Sequence, residues 1–209
     1  MPELPEVETV RRGLERVTPG HCLEGGEVLL ARAIAHPAHE HEFLAGLTGA
    51  TLSAWHRRGK YLLGQLSQSD GSPGGYLGVH LRMTGQLLWL DPTTPVQPHC
   101  RVRLWLSDHH ELRYVDQRTF GRLWWIPPGI TPDTIMTGLN RLGPEPFDDS
   151  FSVAYLGQRL RRSRRPIKNA LLDQALVAGI GNIYADEALF LSGIRPLTPC
   201  DRIGTQRIQ

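Results

Sequence analysis

The chain has 209 residues, 40% hydrophobic and 21% charged, with 23 basic against 21 acidic side chains and a formal net charge of +2. That balance supplies a packed core and excludes global disorder, and the length fits one large domain or two small ones. Cys22, Cys100 and Cys200 form no C-x-x-C pair, no apolar run approaches a membrane span, and Glu3 and Glu6 stand where a signal peptide needs positive charge, so a disulfide framework, a cysteine zinc finger within this chain, membrane insertion and secretion are all disfavoured and a cytoplasmic protein is expected.

Leu4, Val7, Val10, Leu14 and Val17 recur at spacings of three and four, which predicts an amphipathic helix up to Pro19-Gly20. Short β-type segments follow at 27–34, 61–66, 76–81, 86–90, 101–106, 112–115 and 122–126. Within 101–106, Val102, Leu104 and Leu106 alternate with Arg101, Arg103 and Trp105. Many short strands predict a β-sandwich or barrel. The Gly/Ser/Pro stretch 69–75 reads as a hairpin tip or a disordered insertion, and no internal repeat is visible.

The pattern changes at Pro127-Pro128-Gly129, and a Pro/Gly-rich connection continues to Gly143-Pro144-Glu145-Pro146. Beyond it Phe151, Tyr155, Leu156 and Leu160 form an apolar stripe, 167–176 is a second candidate helix, and Asn182 is placed to cap a third over 183–192 with Gly193 as its stop. Residues 198–209 read as the start of a further helix. The expectation is an α+β chain: an N-terminal β-sandwich domain with a leading helix over 1–130, a linker over 131–149, and a partial helical domain over 150–209.

Between Gly157 and Lys168 stand Arg159, Arg161, Arg162, Arg164, Arg165 and Lys168, with no acid among them. Such a run is either an electrostatic footprint for phosphate or a solvated helix face. Pro2 also has two readings. Proline at a helix start is common. With Met1 removed, Pro2 becomes a secondary amine able to attack an aldehyde-level carbon and form an iminium ion, an electron sink for elimination. An α-amino group titrates near pH 8, and the adjacent Glu3 carboxyl is placed to shuttle protons. His36, His39 and His41, and the pair His109-His110, have no helical i, i+4 arrangement or cysteine partner, so no metal is expected there.

The N-terminal run Met1-Pro2-Glu3-Leu4-Pro5-Glu6-Val7-Glu8-Thr9-Val10-Arg11-Arg12-Gly13-Leu14 resembles the signature of bacterial formamidopyrimidine-DNA glycosylases. Arg58-Gly59-Lys60-Tyr61-Leu62 resembles that family's lysine hairpin, His80-Leu81-Arg82-Met83-Thr84-Gly85 its H-L-x-M-[ST]-G segment, and Asp116-Gln117-Arg118-Thr119-Phe120-Gly121 its D-x-R-x-F-G segment. Pro166-Ile167-Lys168 and Gly179-Ile180-Gly181-Asn182-Ile183-Tyr184-Ala185 resemble its helix–two-turn–helix module. The matches lie in family order and span essentially the whole chain.

The resemblance implies a base-excision-repair glycosylase with AP lyase activity. It would remove 8-oxoguanine and formamidopyrimidines from double-stranded DNA through a proline Schiff base and β,δ-elimination, acting as a monomer on the bacterial nucleoid. It implies Pro2 as nucleophile at the sugar C1′, Glu3 as general acid/base, Glu6 as a supporting carboxylate, and Lys60 as a catalytic lysine that also contacts phosphate. Met83, Arg118 and Phe120 would be the wedge that fills the hole left by a flipped base. His80, Lys168 and Asn182 would be further DNA-binding residues. Each has an ordinary alternative: a solvated hairpin lysine for Lys60, core packing for Met83 and Phe120, and a plain capping turn for Gly179-Ile180-Gly181-Asn182. Arg82 replaces a residue that is often glycine in the family. Family members carry one structural zinc in a C-terminal four-cysteine finger, following a loop that closes over the base. Neither is present here, so a C-terminally truncated, impaired enzyme without a cofactor in this chain is expected. Two other readings stay open: an endonuclease VIII-like enzyme for oxidised pyrimidines, disfavoured by Leu4-Pro5 where that group has glycine next, and a catalytically silent nucleic-acid-binding remnant.

Overall fold

The chain opens with helix α1 (Leu4–Val17), whose start is fixed by Glu3 and Glu6. The Glu3 amide donates to Glu6 Oε2 at 2.9 Å, and the two residues form a reciprocal capping box. Pro5 sits in the first turn, where its missing N–H costs no helical hydrogen bond. Leu4, Val7 and Leu14 are buried and Val10 packs beside them, but Val17 is exposed, so the apolar stripe ends one turn before the helix does. The computed structural model describes residues 1–208 and divides into two units, Met1–Leu139 and Asn140–Gln209.

In the first unit the strands are β1 (Leu23–Val28), β2 (Ile34–His36), β3 (Thr51–Arg58), β4 (Tyr61–Ser67), β5 (Pro73–His80), β6 (Gly85–Leu90), β7 (Cys100–Leu106), β8 (Glu111–Asp116) and β9 (Arg122–Ile126). They form a four-stranded sheet in the order β1-β7-β8-β6 and a five-stranded sheet in the order β2-β9-β5-β4-β3. Every pair is antiparallel except β2–β9. Leu23, Val102, Leu104 and Leu112 from one sheet join Leu52, Leu62, Leu77 and Leu123 from the other in a single buried cluster. The architecture is therefore a sandwich, and the alternation read in β7 holds, with Val102, Leu104 and Leu106 buried.

One strand expectation needs correction here, two elements were not anticipated, and the hairpin reading of 69–75 holds over the disordered one. Segment 27–34 is not one strand: β1 ends at Val28, the Leu29 amide donates to the Arg101 carbonyl, and a 3-10 turn (Ala31–Ala33) carries the chain to β2 in the other sheet. Helix α2 (Glu40–Leu47) and strand β3 had no clear sequence signal. A bulge in β3 between Leu52 and Ala54 puts its buried residues Leu52 and Trp55 three apart, which destroys the period-two pattern. Segment 69–75 is a hairpin: the Gln68 amide bonds the Ser72 carbonyl at 2.8 Å, and Pro73 already belongs to β5.

Helix α3 (Pro132–Ile135) closes the first unit. The second holds α4 (Val153–Arg161), α5 (Ile167–Leu171), α6 (Asn182–Leu191) and α7 (Thr205–Ile208), with a 3-10 turn at Cys200–Arg202. Leu160, Ile167, Leu176, Leu189, Ile194 and Cys200 are buried in its own core. Helix α5 stops well before 176, because Asp173 turns the chain by accepting the Ala175 amide at 3.0 Å. Asn182 is the first helical residue of α6 and Gly181 its N-cap, so the expected Asn182 cap is displaced by one. Gly193 ends that helix as anticipated, at φ +61°.

Helix α1 is clamped to β3 by polar contacts. Trp55 Nε1 donates to Thr18 Oγ1 at 2.7 Å, the Trp55 amide to Glu15 Oε2 at 2.6 Å, and Arg57 Nε to Glu8 Oε2 at 3.1 Å. Glu8 also receives Arg11 and Arg12. Its pKa falls from an ordinary 4.5 to about 2, chiefly through Arg11, against the cost of burial and with help from Arg12 and Arg57. The folded value lies below the unfolded one, so this stability is present above pH 4.5 and drains away as pH falls toward 2. Solvent screening holds the contribution to about 1–2 kcal/mol. Glu8→Gln should therefore lower stability by that amount at pH 7 and flatten the acid limb of the unfolding curve, measured by urea titration at several pH values.

Candidate nucleophile corner and nucleic-acid interface

Pro2 is partly exposed beneath an exposed Met1, and Glu3 beside it is only 2% exposed. The turn joining β3 to β4 is Gly59-Lys60, tight enough to need the positive φ of +55° at Gly59. Arg57 donates to the Gly59 carbonyl at 3.1 Å while it holds Glu8 of α1, so one side chain ties the lysine turn to the N-terminal helix. Lys60 is 5% exposed, which rules out a solvated hairpin lysine. Burial lowers its pKa; Glu3 and Glu6 oppose the shift and Arg82 adds to it. Those couplings gather Glu3, Glu6, Lys60 and Arg82 around one corner.

His80, at the end of β5, is 6% exposed and meets the Tyr61 ring edge-on at 4.5 Å. Its Nδ1 accepts the Arg82 amide at 3.1 Å. Burial, then Arg82 and Lys60, lower its pKa to about 3, so the ring is neutral at pH 7. A buried neutral imidazole shapes the 80–82 turn and carries no charge toward a phosphate.

Two loops project the wedge candidates. Met83 is 36% and Phe120 52% exposed, so neither packs in the core, and the exposed Arg118 guanidinium lies 5.0 Å over the Phe120 ring. Next to them Arg82 and Thr119 have positive φ values, +55° and +58°. Both loops meet at the buried Asp116 carboxylate, a residue that reading the sequence did not single out although it opens a quoted motif.

In the helical unit, Lys168 Nζ pairs with Asp186 at 2.7 Å to Oδ1 and 2.8 Å to Oδ2. Gln174 braces the turn before α6: its Oε1 accepts the Gly179 amide at 2.9 Å and its Nε2 donates to the Ile180 carbonyl at 2.8 Å. Asn182 is exposed in the first turn of α6. Part of the basic run has internal work. Arg159 lies over Tyr155, Arg161 donates to the Gly157 carbonyl, Arg164 pairs with Asp201, and Arg165 with Asp173. Neither Asp186 nor Gln174 was legible as a site residue, since their contacts cross a loop.

The model of the formamidopyrimidine-DNA glycosylase N-terminal domain matches residues 1–123, and that of the family's H2TH domain matches 142–209. The chain belongs to the formamidopyrimidine-DNA glycosylase family. A protein of that name from Acaryochloris marina is 60% identical over all of this chain and 74% of its own length, and one from a Nostoc species 57% over the same shares. A Lactococcus lactis family member in complex with abasic-site DNA superposes with a TM-score of 0.88 at 34% identity, over 99% of this chain and 72% of that one. A complex of the same bacterial enzyme with Fapy-dG-containing DNA gives 0.88 at 34%, over 99% and 74%.

Cys100 and Cys200 are each buried within their own unit, and among the described residues no three His, Cys, Asp or Glu side chains are grouped to hold a metal. His39 stacks on His41, and His110 stacks on Trp89 while bonding Asp108. No helix among the described residues is long and apolar enough to cross a membrane.

The burial of Lys60 carries a stability cost. Its folded pKa lies below the free value of 10.5, so the unfolded chain holds more protons between the two and stability rises with pH across that window. Lys60→Met should raise stability at pH 7 by about 1 kcal/mol and remove that alkaline rise, while abolishing DNA processing. Thermal unfolding at pH 7 and pH 10 checks it; a Lys60→Met protein less stable than its parent would contradict the assignment.

Proposed function

We propose that this chain is a DNA glycosylase and AP lyase that excises oxidised purines from double-stranded DNA, with Pro2 as nucleophile once Met1 is removed. The observation that carries the reading is the buried Glu3 carboxylate beside Pro2, with Lys60 buried in the same corner. Attack of the Pro2 nitrogen on C1′ displaces the base, which leaves with a proton from Glu3. The nitrogen then loses its proton and the sugar ring opens by cleavage of the C1′–O4′ bond, with a proton passed to O4′; the iminium so formed withdraws electrons and acidifies C2′, so the 3′ phosphate and then the 5′ phosphate can be eliminated. Lys60 places its amine beside these steps, with a pKa lowered by burial.

Met83, Arg118 and Phe120 serve as the wedge that replaces the flipped nucleotide, which suits two exposed apolar side chains flanking a guanidinium. Lys168 and Asn182 supply phosphate contacts. The Lactococcus lactis relatives were solved with abasic-site and Fapy-dG DNA, which favours oxidised purines over the pyrimidines of an endonuclease VIII-like enzyme. We assign His80 a supporting place under the Arg82 turn, a monomeric state, and a place in the cytoplasm with the chromosome.

Borohydride trapping on an AP-site duplex tests the nucleophile. The protein with Met1 removed should give a covalent adduct, and an uncleaved N-terminal extension should abolish it. A blocked N-terminus that still traps fully would eliminate Pro2, and no adduct at all would leave the silent-remnant reading. Excision of 8-oxoguanine should exceed that of thymine glycol.

Asp186 competes with DNA for the Lys168 ammonium. Asp186→Asn should tighten binding to undamaged duplex by about threefold, and Lys168→Ala should reduce the salt slope by about one unit. The Asp186→Asn gain should vanish in the Lys168→Ala background, measured by fluorescence anisotropy across salt concentrations.

A further inference from the structure

Resting on the wedge reading above, we propose that Asp116 is a positioning residue that locks the two loops carrying Met83, Arg118 and Phe120 into one rigid body through Thr84. The Asp116 carboxylate, 0% exposed, accepts Thr84 Oγ1 at 2.5 Å, the Tyr114 hydroxyl at 3.2 Å and the Gly121 amide at 2.9 Å. The Thr84 hydroxyl in turn accepts the Arg118 amide at 2.9 Å. A continuous chain of bonds thus runs from the Arg118 backbone through Thr84 to Asp116 and back into the second loop at Gly121. One hydroxyl joins a loop at 81–85 to a loop at 116–121, more than thirty residues apart.

The anchor itself is fixed to the sandwich. The Asp116 amide donates to the His99 carbonyl at 2.9 Å, and Arg101 Nε donates to the Asp116 carbonyl at 2.9 Å. Arg122 holds the Thr119 and Gly121 carbonyls, and Arg32 donates to the Thr119 hydroxyl. Gly85 and Gly121 both lie against the Tyr114 hydroxyl, where a side chain on either would collide with it. Burial alone would push the Asp116 carboxyl up, but the bonds from Thr84, Gly121 and Tyr114 outweigh it and hold the pKa below the usual range. The group is an acceptor-only anion, which is what three converging donors require.

The left-handed backbone at Arg82 and Thr119 is costly for residues with a side chain. Such conformations persist where surrounding bonds overdetermine them. Here they turn Met83 and Phe120 outward at the two loop tips. A wedge that must open a base stack gains from being ordered beforehand, because loop ordering otherwise subtracts from binding.

The test uses Thr84→Val, which keeps the shape and removes the hydroxyl, with Thr84→Ser as the conservative rescue and Asp116→Asn as a second cut. Stack opening is read by the fluorescence of 2-aminopurine placed beside an abasic-site analogue in duplex DNA. Chemistry is read by single-turnover excision of 8-oxoguanine from duplex and by AP-site cleavage in single strands, where no stack needs opening. Thr84→Val should cut the fluorescence rise and the duplex excision rate by about tenfold, with single-strand cleavage lowered no more than about twofold. Thr84→Ser should recover most of both duplex signals. If Thr84→Val keeps the duplex signals of its parent, or loses equally on duplex and single strand, the loops do not act as a unit and Asp116 only supports the fold. The same conclusion follows if Thr84→Ser fails to rescue. A parent that opens the stack without excising 8-oxoguanine would overturn the glycosylase reading while leaving the fluorescence comparison to decide the role of Asp116.

Discussion

A nucleophile at the second residue of a chain faces a particular constraint, because termini are normally the least ordered part of a domain. Proximity contributes to catalysis only when the reacting nitrogen is held still. Much of the first unit meets that requirement for Pro2, the proposed nucleophile. The Glu3–Glu6 capping box starts α1 right after it, leaving no slack between Pro2 and the helix. The apolar face of α1 buries Leu4, Val7 and Leu14. Glu8 and Arg57 then connect the helix to the carbonyl before Lys60, so helix and lysine turn cannot drift independently.

The same unit buries several charges, and comparing them separates structural from reactive roles. Arg113 is fully buried, yet its Nε meets Glu111 at 2.7 Å and its amino groups reach the carbonyls of Thr94 and Pro95. It is satisfied in the way a structural ion pair must be, and it pins the loop between β6 and β7. Asp116 is likewise matched by donors, and its pKa falls despite burial. Lys60 differs in sign: its surroundings disfavour its charge even with two carboxylates coupled to it. That contrast supports the reactive role proposed for Lys60.

The parts of this architecture legible in sequence are those whose cause is local. Helix α1 showed its period, β7 its alternation and Gly193 its stop, because each depends on residues within one or two turns. The Pro2 and Lys60 assignments came from resemblance, since neither spacing nor composition distinguishes a catalytic proline or lysine from a common one. Strand β3 escaped because a bulge shifts its buried residues out of alternation, and 27–34 was misread because a switch between sheets interrupts an apolar run that looks continuous. Asp116, Gln174 and Asp186 were invisible for a different reason. Their roles consist of bonds to residues in other loops or on another helix, and no one-dimensional pattern encodes those partners.

Charge illustrates how far arrangement departs from composition. A net charge of +2 would not mark a nucleic-acid protein, and the basic run that did attract notice is largely occupied within the helical unit. Arginines near the end of α4 also sit where the helix dipole favours cations, so part of the run is explained by the helix itself. Lys168 is occupied too, by an ion pair to an acid on the neighbouring helix, held at hydrogen-bond distance through both carboxylate oxygens. In the phosphate contact proposed for Lys168, an ammonium already paired is extended and directed beforehand, and exchanging a carboxylate for a phosphate alters its partner without requiring it to be reordered. The binding free energy then depends on the difference between two anionic partners, which lowers affinity for any single phosphate contact. Weak individual contacts suit a protein that must leave undamaged DNA quickly and dwell only where a base can be flipped.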